Sequence, residues 1–138
     1  MRIILTSIFL TFFLQSYSQD LIKSTITVKN AALINTYDIN DIESMVTYYF
    51  ASRVRNDDEW KKVIPDSTEW SSRMVYSLNK HNQWNFVEFK NLGFYSGEHG
   101  SGVKVYFKIE VNGHIYDGKD DVELKKKNNR WVISNVPN

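Results

Sequence analysis

The chain has 138 residues, no cysteine, 17 Lys and Arg against 16 Asp and Glu, and aromatic residues at 14%. The lack of thiols excludes a disulfide framework, a thiolate nucleophile, a cysteine-held metal and a lipidated cysteine. The near-balanced charge offers no long-range attraction to nucleic acid or to an anionic membrane.

Residues 1–18 read as a signal peptide. Arg2 precedes an apolar run from Ile3 to Leu14, and Ser16 and Ser18 are small residues spaced for a signal peptidase. Cleavage after Ser18 leaves Gln19 at the N-terminus and removes Arg2, so basic and acidic side chains become equal in number. The run is short for a bilayer span and no stop-transfer segment follows, so the expectation is an exported protein, periplasmic or extracellular, with no stable membrane anchor after cleavage. The mature chain of about 120 residues suffices for one hydrophobic core without staples. Residues 19–38 form an arm in which "STITVKN" alternates weakly enough for a short strand, and 39–138 form a single domain.

Asn40, with Glu43 three residues on, reads as a capping box that opens a helix through "DIESMVTYYFASRVRN". Ile42, Met45, Val46, Tyr49 and Phe50 share one stripe of that helix, and Arg53 lies near its middle. "NDDEWKKVIP" predicts a brief second helix capped by Asp57 or Asp58, burying Trp60, Val63 and Ile64 and stopped by Pro65. Asp66 and Glu69 repeat the capping pattern ahead of Trp70, Met74 and Leu78, with helix ending near Lys80.

From there the period changes to two. Four strands are expected, roughly Trp84–Tyr95, Val103–Val111, His114–Lys126 and Arg130–Val136, with bulges in the first and third, where the alternation slips. Asn112-Gly113 supplies the hairpin turn between the second and third, and "KNNRW" the next. Gly97, Gly100 and Gly102 fall between two strand patterns. Neither a phosphate loop nor a dinucleotide turn fits them, because both need a helix to follow. They read as a hairpin connection, with Glu98 and His99 at an exposed tip.

Helices followed by a meander of long strands, with the hairpin "VYFKIEVNGHIYDG" and the close "VELKKKNNRWVISNV", resemble the nuclear transport factor 2-like superfamily, in particular its small secreted bacterial members. The resemblance covers about Ile39 to Val136 and implies an α+β cone, in which a curved, mostly antiparallel four-stranded sheet wraps N-terminal helices around a pocket. The superfamily holds enzymes, carriers and dimerisation modules, so the fold alone assigns no function.

Val105, Phe107 and Ile109 share the inward face of their strand, while Lys104, Tyr106, Lys108 and Glu110 share the outer one. Ketosteroid-isomerase-like members use a pocket carboxylate as base, and this strand offers none. No catalytic residue, cofactor or metal is therefore assigned. Tyr49, Arg53, Val105, Phe107, Ile109 and Trp131 are the candidate ligand-binding residues, Arg53 for an anionic group unless its head is solvated or paired. His81, His99 and His114 lie in or beside turns, without metal-ligand spacing, and read as exposed. The carboxylates from Asp117 to Glu123 lack the order of a calcium loop and read as a solvated strand.

The expectation is a non-enzymatic exported domain that binds a small apolar ligand or a protein partner. The alternatives are a cyclase or isomerase using Glu88 or Asp117, and a structural module that forms a homodimer through the charged outer row.

Overall fold

The computed structural model describes residues 25–138, so the signal-peptide reading of residues 1–18 lies outside the described residues. The fold is α+β, with two helices packed on an open, curved antiparallel sheet of five strands, in the order β1-β2-β3-β4-β5. The fifth strand, absent from the expected four, is β1 (Ile26–Thr27), which pairs with Phe89 and Glu88 at the edge of β2 (Asn85–Gly97). The arm thus contributes the short strand that its weak alternation suggested.

Asp41, not Asn40, caps helix α1 (Ile42–Arg55), its carboxylate accepting from the backbone N–H groups of Glu43 and Ser44. Glu43 therefore does not close a capping box. Its carboxylate accepts instead from the Phe94 N–H at 2.9 Å, tying the start of the helix to β2. Every residue from Ser44 to Val54 is buried, so the predicted apolar stripe belongs to a helix enclosed on all sides. Asn56 ends it in the left-handed region, at φ 62°, a conformation that Asn tolerates better than most residues.

The expected second helix is a single 3-10 turn, Glu59–Val63, that buries Trp60 and Val63. Asp66 caps another short turn, Ser67–Glu69, and the true cap of α2 (Ser72–Gln83) is Ser71, whose hydroxyl accepts from the Met74 N–H. Met74, Ser77, Leu78 and His81 form the buried stripe of α2. The helix runs three residues past Lys80, and that extension turns His81 inward.

β2, β3 (Gly100–Val111), β4 (His114–Lys127) and β5 (Arg130–Asn135) form a meander. Asn112-Gly113 and Asn128-Asn129 make tight turns with positive φ at all four residues, and the glycine-rich segment narrows to a turn at Glu98-His99 between paired strands. Gly102 is required by close approach: a Cβ there would lie 2.7 Å from both the Tyr95 hydroxyl and the Val122 carbonyl oxygen. Two bulges interrupt β2, between Phe86 and Glu88 and between Asn91 and Gly93. The first brings both Phe86 and Phe89 onto the inner face and leaves Glu88 outside. The bulge expected in β4 lies in β5 instead, where Ser134 is the extra residue, and β4 pairs with β3 without a slip.

Phe50 of α1 lies flat on Phe89, with ring centroids 4.3 Å apart and planes at 4°, and Phe86 meets it edge-on. Phe50→Ala should therefore cost about 3–5 kcal/mol of stability, whereas Leu92→Ala, at an exposed bulge residue, should stay within about 1 kcal/mol. Urea denaturation of the two variants checks the contrast.

Candidate functional site

Tyr49 and Arg53 sit one turn apart on α1, so their side chains meet over the same surface. The Arg53 Nε donates to the Tyr49 hydroxyl at 3.1 Å, and Nη1 donates to the Asn82 Oδ1 at 2.8 Å. The guanidinium lies 3.8 Å from the centroid of Trp60, close enough for a cation–π contact. No carboxylate pairs with Arg53 among the described residues, and its Nη2 is buried without a hydrogen-bond partner. The arginine head is thus neither solvated nor salt-bridged, and is held by neutral groups.

Beyond Tyr49 stands His81, a correction to its reading as an exposed turn residue: it is 1% exposed. Its Nε2 lies 2.5 Å from the Pro137 carbonyl oxygen, which can only accept, so Nε2 carries the hydrogen. Nδ1 is then a bare acceptor, and the Tyr49 hydroxyl donates to it at 2.8 Å. A directed chain results, from Arg53 through Tyr49 and His81 to Pro137.

Burial pushes the His81 pKa from 6.5 down to about 3, with the nearby Arg53 charge acting in the same direction. Burial also raises that of Tyr49, outweighing the pull of Arg53. A tyrosine–histidine pair at 2.8 Å has the geometry of an acid–base couple. Here burial favours the neutral form of both members at physiological pH. A polar recess of about 200 Å³ adjoins this group, lined by Arg53, Asp57, Asp58, Trp60, His81 and Asn82.

Val105, Phe107 and Ile109 lie in the core, facing α1. Phe107 packs against Phe50, Phe86 and Trp84. The carboxylates considered for base catalysis face away: Glu88 is ion-paired with Lys108 at 3.3 Å on the outer face, and Asp117 is exposed opposite Lys108 on β4.

Trp131 occupies a different setting, at the start of α1. One recess of about 410 Å³ runs between Ile39, Glu43, Phe94 and Trp131, and a second of about 210 Å³ between Met45, Val63, Ile64 and Trp131. The two share Ile39, Arg130 and Trp131, so they form adjoining parts of one groove. Phe94 meets Trp131 edge-on at 5.6 Å, and the Lys126 ammonium sits 5.0 Å from the center of the Trp131 ring. Lys127 is ion-paired with Glu69, and Lys62 with Glu59 at 2.6 Å, whereas Arg130 has no ion pair among the described residues.

Of the six sequence candidates, Tyr49 and Arg53 converge on the buried chain, Val105, Phe107 and Ile109 pack in the core, and Trp131 stands on the groove. Ile39, Phe94 and Arg130 were missed. Phe94 follows a bulge that alternation does not reveal, and Ile39 precedes the helix cap, outside any periodic pattern. The chain matches no family model, no curated protein and no solved structure.

The His81 environment has a pH consequence of definite sign. The unfolded chain binds a proton below pH 6.5 that the folded one refuses until about 3. Stability is therefore fully present above 6.5 and falls on acidification, by up to about 1.4 kcal/mol per pH unit. Urea midpoints should rise between pH 4.5 and 6.5 and level off above, and His81→Gln should be less stable throughout and lose that slope.

Proposed function

We propose that this chain is an exported, non-enzymatic binding domain of the nuclear transport factor 2-like type, and that it takes a small amphipathic ligand in the groove over Trp131. One observation carries the reading: two recesses meet at Trp131, where apolar surface is left exposed beside a cation. Ile39 is 53% exposed and Phe94 41% exposed, and Arg130 stands at the shared edge. An apolar body against Ile39, Phe94 and Trp131 with an anionic end toward Arg130 satisfies both features.

Further support comes from the interior. Tyr49, the residue best placed for chemistry, donates to a histidine held neutral by burial, and the acids Glu88 and Asp117 lie on the outer side of the sheet. Export rests on the leader pattern of residues 1–18.

Dodecanoate is a direct probe. Titration calorimetry on the mature chain should show saturable binding, weakened at least tenfold by Trp131→Ala, equivalent to about 1.4 kcal/mol. Arg130→Ala should lower affinity and reduce its salt sensitivity. Absence of binding, or binding indifferent to Trp131, would sink the proposal.

A further inference from the structure

From His114 to Val122, β4 is paired on one side only. β3 covers Ser101↔Leu124 through Val111↔His114, whereas β5 covers only Glu123 to Lys127. Among the described residues nothing pairs with the other edge from His114 to Val122. This free edge carries two large exposed side chains, Ile115 at 57% and Tyr116 at 54%.

The direction of its hydrogen-bonding groups follows from the hairpin. Val111 and His114 flank a two-residue turn and bond to each other, so alternate residues from Ile115 onward turn N–H and C=O away from β3. Ile115, Asp117, Lys119 and Asp121 therefore face the open edge. The Asp121 N–H supports this parity independently, since it donates to the Asp120 side chain at 2.7 Å and not to β3.

We propose that this edge pairs antiparallel with the same edge of a second copy, about a two-fold axis at Gly118. That register sets Asp117 opposite Lys119 of the partner subunit, and Lys119 opposite the partner's Asp117. All four are outward-facing residues, so each pair exchanges two backbone hydrogen bonds. Centring on Asp117 or on Lys119 instead opposes like charges. Charged residues on an edge ordinarily deter pairing, but in the sequence Asp-Gly-Lys the deterrent becomes self-complementary in one register alone. An unrelated strand meets the same charges unmatched, which makes the second copy the favoured occupant over a foreign peptide. The proposal is independent of the Trp131 groove.

Sedimentation velocity on the mature chain, across a concentration series to the millimolar range, tests it. A concentration-dependent dimer that weakens with salt is expected. Asp117→Lys and Lys119→Asp should each weaken association at least tenfold, and mixing the two variants should restore a heterodimer. The double exchange D117K/K119D should also restore dimerisation. These positions are exposed, and unchanged circular dichroism confirms that the variants fold. A wild-type chain that stays monomeric, a dimer indifferent to these charges, or single variants that fail to rescue each other would overturn it.

Discussion

The hydrogen-bond chain from Arg53 through Tyr49 and His81 to the Pro137 carbonyl joins three segments that are remote from one another in sequence. It couples α1 to α2 and both to the C-terminus, and each link has one allowed direction. Buried polar groups that are satisfied in only one arrangement specify that arrangement, because any other leaves a donor or acceptor unpaired at a cost of about 1–3 kcal/mol. The stacked rings of Phe50 and Phe89 supply apolar burial beside it, but apolar contact is non-directional and does not by itself select one seating of α1 on the sheet.

That division of labour separates the interior from the rim. Tyr49 and Arg53 read from the sequence as ligand-binding candidates and His81 as an exposed turn residue, yet all three are buried and bonded in one chain. The proposed groove lies apart from them at the start of α1, where the Asp41 cap and the bond from the Phe94 N–H to Glu43 hold the helix against β2 beside Trp131. Because those polar contacts keep the rim in place, Ile39 and Phe94 can remain exposed without covering each other.

Local rules made much of this legible. Asn112-Gly113 located a turn, strict alternation from Val103 to Val111 assigned both faces of β3, and the change of period after α2 separated helices from sheet. The failures have physical reasons. Asn40 and Asp41 are both competent caps, and which one serves depends on φ and ψ, not on residue type. Asp66 and Glu69 matched a capping pattern but reached only a short turn, because Ser71 offered a later cap. His81 was hidden because its partners Tyr49 and Pro137 are remote in sequence, although the spacing of Met74, Ser77, Leu78 and His81 continues one helical stripe and could have revealed it. The short β1 was legible only as a weak alternation in the arm, outside the four-strand count, because two residues carry almost no period.

The central claim is that the Tyr49–His81 pair is structural and that binding takes place elsewhere, at the groove. Nitrogen-15 NMR of the His81 imidazole tests this most directly, with and without dodecanoate. Expected is a neutral ring with the hydrogen on Nε2, unchanged from pH 8 to pH 5 and indifferent to the ligand. A ring that titrates in that range, or whose tautomer changes when ligand is added, would place His81 in the working site and contradict the claim.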